Sequence, residues 1–275
     1  MSAMHSKLDR LRAILGSMDA VVVAYSGGAD SAFLADVAHD VLGARAVAVT
    51  AVSPSLAPDE LAEARRLAAE RGWRHREVTT NELDRDGYVR NEPDRCYHCK
   101  TELFDVLASL VGEGGSVVLV GTNVDDRSDF RPGQRAARER GIRAPLLEAG
   151  LTKEEIRVLS RERGLATWNK PASACLASRI AYGIEVTAER LDRVARAEAF
   201  LRGLGVAEIR VRDHGDLARI EVDPEAIGML AGDGVRANVA AFMRELGFTY
   251  VTLDMEGFRS GSMNAVLLSI GRREA

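Results

Sequence analysis

Three cysteines, a glycine-rich turn and a set of arginines are the parts of this chain equipped for chemistry. Cys96 and Cys99 form a C-x-x-C in DRCYHCK, and Cys175 comes much later, in SACLASR. Three thiols are too few, and odd in number, for a disulfide framework, and a reducing compartment keeps them free. Two thiolates at this spacing share a metal readily, and a third joins only by folding. The alternatives are a redox disulfide, a Cys3His zinc site with His98 as a strained fourth ligand, and Cys175 as an inert buried residue.

The second feature is Ser26-Gly27-Gly28-Ala29-Asp30-Ser31. It follows the apolar, β-branched run Ala20–Tyr25 and precedes Phe33, Leu34, Val37, Ala38, Val41 and Leu42 at helical spacing. A strand, a glycine turn and a helix in that order aim unpaired N–H groups and the helix dipole at an anion. Gly27 and Gly28 let backbone approach phosphate, Ser26 and Ser31 add hydroxyls, and Asp30 holds magnesium or caps the helix. The plain alternative is a strand-to-helix turn with an N-cap. The Gly-Lys-Ser/Thr ending of a Walker loop is missing, which disfavours a γ-phosphate kinase or motor.

Arg210 and Arg212 stand two apart in an expected strand and so share a face, and Arg259 in GFRSGSMN can join them. Guanidinium groups there suit a phosphate or carboxylate; otherwise they are solvated edge charges. Arg179 closes CLASR, either against an adenylate or carboxylate or facing water. Asn123, Asp125 and Asp126 follow an expected parallel strand, where a magnesium or ribose contact belongs, or they form a local turn. Trp73 and Trp168 read as packing residues, and His5, His39, His75 and His214 have no metal-site spacing.

The elements that must position these residues begin with a helix over 7–16 and the strand and helix just described. A strand at Arg45–Val52, a helix at Pro58–Arg71 and a strand at His75–Thr79 follow; this alternation means parallel βαβ units. After the polar stretch 81–95, the pattern predicts a helix at Lys100–Val111, a strand at Ser116–Val120, a basic helix near Gln134–Arg140 and a short strand in APLL. Thr152 with Glu155 is a capping box opening a helix that ends at Gly164. The stretch 166–183 lacks a period and reads as a functional loop and domain linker. Beyond it come a helix (188–202), strands at Glu208–Arg212 and Leu217–Val222, helices near Pro224–Leu230 and Val235–Leu246, and a strand at Thr249–Met255. The expected fold is an α/β parallel-sheet domain over 1–183 followed by a small α+β domain over 184–275, with the active site between them.

Composition narrows the classes. The 275 residues are 46% hydrophobic and 28% charged, which excludes disorder and low-complexity scaffolds. A formal charge of -4 lacks the basic footprint of a nucleic-acid protein. The longest stretch without Asp, Glu, Lys or Arg is Ala46–Pro58, 13 residues, short of the ~18 to 20 that cross a bilayer. The N-terminus is broken by charge and reads as no signal peptide, so a cytoplasmic location is expected.

SGGADS resembles the SGGxDS pyrophosphatase loop of the adenine-nucleotide α-hydrolase superfamily, whose members cleave ATP between the α and β phosphates. The resemblance continues through GTNVDDRSDFRPG, APLLEAGLTKEEIR, KPASACLASRIAYG and GFRSGSMN, strings that are similar to the LarE family of ATP-dependent sulfur transferases, which build a nickel-pincer cofactor. It implies ATP and magnesium as cofactors, with ATP on Ser26, Gly27, Gly28, Asp30, Ser31, Asn123 and Asp125. It implies a pyridinium biscarboxylic acid mononucleotide as substrate, its phosphate anchored by Arg210, Arg212 and Arg259, with Arg179 near the adenylate. In the family, the CLASR cysteine, here Cys175, gives up its sulfur and becomes dehydroalanine. Members that also carry a C-x-x-C resemble cluster-dependent sulfur transferases, in which three cysteines hold a 4Fe-4S cluster with one iron open.

All three cysteines are present here, and the cluster reading over Cys96, Cys99 and Cys175 is preferred, since it explains the C-x-x-C and leaves the protein unconsumed. Sacrificial Cys175 and zinc are the competitors. Rival functions are a tRNA-thiolating enzyme, disfavoured by charge, a nucleotide-binding module with structural zinc, and an amidating synthetase. A small-molecule nucleotide substrate and a homo-oligomer are expected, with no membrane or nucleic-acid partner.

Overall fold

The computed structural model describes residues 3–111, 115–128, 132–171, 174–259 and 261–264. Positions 129–131 of GTNVDDRSDFRPG, 172 and 173 of KPASACLASRIAYG, and 260 of GFRSGSMN lie outside the described residues. The chain divides into two compact units: Met1–Glu82 with Cys96–Ser173, and Leu83–Arg95 with Ala174–Ala275. Among the described residues no helix is long and apolar enough to cross a membrane.

The first unit is built on a four-stranded parallel sheet of β1 (Ala20–Ala24), β2 (Ala46–Val52), β3 (Arg74–Thr79) and β4 (Ser116–Leu119), in the order β3-β2-β1-β4. Central β1, AVVVA, is apolar because both its faces are covered, with Val21, Val22 and Val23 buried. Edge strand β3, RHREVT, carries charge and is mostly exposed, which blunts an open edge. Helix Ala29–Leu42 is buried along Phe33, Leu34, Val37 and Ala38, and Gly43 (φ 57°) ends it. Helix Pro58–Glu70 covers β2 and β3. The capping box forms as expected: Thr152 Oγ1 accepts from Glu155 N, and Glu155 Oε2 accepts from Thr152 N.

Two expectations are corrected. APLL is the start of a short helix, Pro145–Ala149, closed by left-handed Gly150, and only Arg143 bridges to Leu119. Pro145 lacks the N–H a ladder needs but suits a first helical position. The helix expected from Lys100 begins at Arg95, so the C-x-x-C is helical rather than in the loop before it.

In the second unit β5 (Ile209–Asp213) and β6 (Leu217–Val222) pair antiparallel, and β7 (Tyr250–Leu253) adds in parallel to β6. Helices Ala188–Gly203, Pro224–Ala231 and Asp233–Glu245 complete it. Leu201, Val211, Ile220, Val222, Met243 and Phe248 form its core. Val211 faces that core, so the alternation of a strand turns Arg210 and Arg212 to the other face.

Candidate nucleotide and sulfur sites

In the first unit β1 runs into a turn whose conformation is held by its own hydroxyls. Gly27 has φ 78°, and a Cβ on it would meet the Ala64 Cβ at 3.3 Å, so two separate constraints ask for glycine. Ser31 Oγ accepts from Ser26 N at 3.2 Å and donates to Gly28 O at 3.0 Å. Its single proton being used, the 3.1 Å contact with Ser26 Oγ is donated by Ser26. Gly28 occupies the N-cap without a side-chain bond, and Asp30 stands inside the first helical turn rather than capping it. A carboxylate there complements the helix dipole.

Behind the turn, Thr50 Oγ1 donates to Tyr25 O at 2.9 Å and lies 2.9 Å from His75 Nε2. Since Thr50 spends its proton on the carbonyl, His75 Nε2 carries the hydrogen of that second contact. Burial lowers the His75 pKa; Glu77 pulls it up and Arg65 pushes it down. The Tyr25 ring meets Trp73 and His75 edge-on, and burial, with Glu63, raises its hydroxyl pKa. Trp73 is the packing residue expected. Trp168 is not a core residue: it is 37% exposed with the Arg161 guanidinium over its ring.

Gly121, just past β4, comes against this helix start: a Cβ there would lie 2.9 Å from Ser31 N. Two residues on, Asn123 is 1% exposed; its Oδ1 accepts from Asp125 N at 2.9 Å, and its N donates to Asp126 Oδ2 at 3.0 Å. Among the described residues the Asn123 Nδ2 has no hydrogen-bond partner. A buried amide left open beside a glycine-gated helix start suits a polar ligand. Asp125 Oδ2 accepts from Lys153 N at 2.6 Å, so that oxygen serves the start of helix Lys153–Glu162.

Sequence reasoning missed two groups here. Glu82 is buried and accepts from Ser53 Oγ (2.5 Å) and Thr80 Oγ1 (3.1 Å), joining the carboxyl ends of β2 and β3. Lys170, opening KPASAC, reaches Glu60 and Glu63 at 2.6 and 2.8 Å on the helix that lines Gly27. Burial opposes its charge, but the two carboxylates hold its pKa above the ordinary value. Neither group has a local spacing signal, because the partners meet only through tertiary folding.

Cys96 and Cys99 lie in the first turn of helix Arg95–Val111, and their i, i+3 spacing puts them on one face. Cys96 is exposed, Cys99 half-buried, and neither is in a disulfide. Gly133, ending FRPG, packs on this turn: a Cβ would lie 2.8 Å from Lys100 Cγ and 3.4 Å from Cys96 O.

In the second unit Cys175 is exposed and free, at the N-cap of the turn Leu176–Arg179. Arg179 does not face water. It is 4% exposed, binds Glu198 through two nitrogens (2.9 and 3.1 Å), and donates Nη1 to Ala174 O and Cys175 O. It therefore shapes the backbone that presents the thiol. Arg212 pairs with the fully buried Glu221 (2.7 Å) and donates to Ser262 Oγ (3.0 Å). Arg210 sits on the same face, opposite Glu221 in the ladder, with its guanidinium 4.9 Å from the Phe258 ring centre. Among the described residues it makes no ion pair, and burial, then Arg179, push its pKa below the ordinary value. Arg259 is exposed and pairs with Glu256, so GFRSGSMN reaches this face through Phe258 and Ser262. Glu221 was accessible to hairpin register; Glu198 was not.

A half-buried guanidinium with no ion pair among the described residues, beside two others, is an arrangement suited to an anion. Cys96 and Cys99 belong to the first unit and Cys175 to the second, and among the described residues no group of three His, Cys, Asp or Glu side chains is gathered to hold a metal. The fit to an iron-sulfur cluster is thus one of donor chemistry: three cysteines outside any disulfide, two of them exposed and the third half-buried.

No family model matches the chain. It is 48% identical over 265 residues to an uncharacterised protein of a Synechocystis strain, covering 96% of this chain and 99% of that one. It is 40% identical over 269 residues, 97% of both chains, to the pyridinium-3,5-bisthiocarboxylic acid mononucleotide synthase of Lactiplantibacillus plantarum. An uncharacterised protein of Methanocaldococcus jannaschii matches at 27% over 241 residues, 87% of this chain and 91% of its own.

Proposed function

Because this chain belongs to the LarE family, that of the pyridinium-3,5-bisthiocarboxylic acid mononucleotide synthase, we propose that it is an ATP-dependent sulfur transferase. Its substrate on this reading is a pyridinium biscarboxylic acid mononucleotide whose carboxylates become thiocarboxylates. The observation that carries it is 40% identity over nearly the whole of both chains, together with three cysteines that form no disulfide.

ATP with magnesium lies on the Ser26–Ser31 turn, with Gly27 and Gly28 giving backbone access, Asp30 toward magnesium, and Asn123 and Asp125 at the end of β4. The substrate carboxylate attacks the α-phosphate and pyrophosphate leaves. Adenylation turns an oxide, a poor leaving group, into AMP, a good one, which is why ATP is spent before sulfur arrives. Arg210, with Arg212 beside it, holds the substrate phosphate, and Arg179 sets the backbone of Cys175. Cys96, Cys99 and Cys175 would hold a 4Fe-4S cluster, which would present hydrosulfide from an external donor as the nucleophile that displaces AMP, leaving the protein unconsumed. A cytoplasm that keeps the thiols reduced belongs to this reading.

A second reading, sacrificial transfer from Cys175, is favoured by its exposure and by its place in a different unit from the other two thiols. Substrate-dependent exchange of labelled pyrophosphate into ATP tests the adenylation that both share. Exchange is expected in wild type and in Cys175→Ala, which completes no sulfur transfer; no exchange with intact protein overturns the proposal.

A further inference from the structure

The Ser26–Ser31 turn contains no lysine or arginine, whereas a Walker loop carries within itself the lysine that reaches the phosphates. A cation comes to this place from far along the sequence. Lys170 closes the turn Ala166–Asn169, its N donating to Thr167 O at 3.0 Å, and that turn packs on helix Ala29–Leu42, the helix that Ser26–Ser31 leads into. Its side chain is 14% exposed and lies on helix Pro58–Glu70, with Nζ 2.6 Å from Glu60 and 2.8 Å from Glu63.

Glu60 and Ala64 are one helical turn apart and share a face. The glycine turn meets that same face: a Cβ on Gly27 would come 3.3 Å from Ala64 Cβ and 3.7 Å from Glu60 O. Tyr25, next to Ser26, donates its hydroxyl to Ala64 O at 3.4 Å, and burial, then the charge of Glu63, raise its pKa. All of these residues belong to the first unit. An ammonium has three N–H donors, and among the described residues the two carboxylates take two of them. Glu60 and Glu63 thus hold the ammonium in place and keep it charged, with one N–H left for a further acceptor. A fixed point charge beside a glycine turn without a cation of its own suits phosphate oxygens.

We propose that Lys170 is a phosphate-binding residue of the Ser26–Ser31 turn, giving its third N–H to the β,γ end of the polyphosphate, where most of the charge of ATP lies. The inference rests on the reading in which this turn binds ATP. Lys170 then does from outside the loop what a Walker lysine does from within it.

Isothermal titration calorimetry of the full-length chain with magnesium ATP, magnesium pyrophosphate and AMP tests this. Lys170→Met is expected to weaken ATP and pyrophosphate about thirtyfold and AMP less than about twofold, while Lys170→Arg, which keeps the charge, stays within about threefold of wild type. Lys170→Gln is neutral yet still donates two N–H groups, so it carries the test if Lys170→Met does not fold. Unchanged affinities, or an equal loss for all three ligands as a plain structural clasp would give, overturn this proposal and leave the ATP reading standing. A wild-type chain that binds neither magnesium ATP nor magnesium pyrophosphate overturns both.

Discussion

At the scale of residues, Arg210 and Arg212 sit side by side on one strand face and are expected to fail differently when changed. Arg210 has no ion pair among the described residues, so Arg210→Ala is expected to remove a charge-assisted substrate contact worth about 2 kcal/mol, a roughly thirtyfold higher KM for the substrate, with Tm little changed. Arg212→Ala leaves the buried Glu221 carboxylate with Arg219 and Ser262 alone and is expected to cost about 2 kcal/mol of stability, read by urea unfolding. Equal effects of the two on KM and Tm would contradict the assignment. Gly121→Ala forces a Cβ to within 2.9 Å of Ser31 N and is expected to raise the KM for ATP about tenfold.

His75 gives a pH signature. Its folded-state pKa lies below the ordinary 6.5, chiefly through burial, so acid favours the unfolded chain: its contribution is complete above 6.5 and falls as pH drops through the depressed value. His75→Gln can still donate to Thr50, and the loss of Tm in mild acid is expected to flatten. An unchanged acid limb would assign that limb to other groups.

At the scale of elements, Asp36 on helix Ala29–Leu42 receives Arg71, at the end of helix Pro58–Glu70, and Arg163, at the end of helix Lys153–Glu162. One buried carboxylate ties three helices behind the Ser26–Ser31 turn. Asp36→Ala is expected to cost about 3 kcal/mol in urea unfolding, and a loss below ~1 kcal/mol would mean that the pairs are mere surface contacts.

Much of this level was legible in sequence. The run Ala20–Tyr25 and the periodicity from Phe33 declare strand and helix because burial on both faces, or on one stripe, dictates those patterns. APLL misleads because a short apolar run does not separate strand from helix, and there the proline decides. The early start of helix Arg95–Val111 was hidden because its first turn, RCYHCK, has polar residues where an apolar stripe would have marked it. The sharing of a face by Arg210 and Arg212 followed from strand alternation, whereas the burial of Arg179 against Glu198 needed the fold.

At the scale of the whole molecule, the chain's resemblance and its relatives agree on the family, and the thiols are the parts on which the mechanism turns. The segment Leu83–Arg95 groups with the second unit although it precedes Cys96, an arrangement that no local pattern announces, since it arises from Asn91 and Arg95 reaching residues some ninety positions away. The formal charge of -4 predicts no salt-dependent tRNA binding, and a filter-binding titration showing it would move the substrate assignment to nucleic acid.

The most direct measurement is the intact mass of anaerobically prepared protein, with its iron content, before and after multiple turnovers. An unchanged polypeptide mass with about four irons per chain is predicted. Loss of the elements of H2S at Cys175, with sulfur in the product never exceeding one atom per chain, would contradict the cluster account and establish the cysteine itself as the donor.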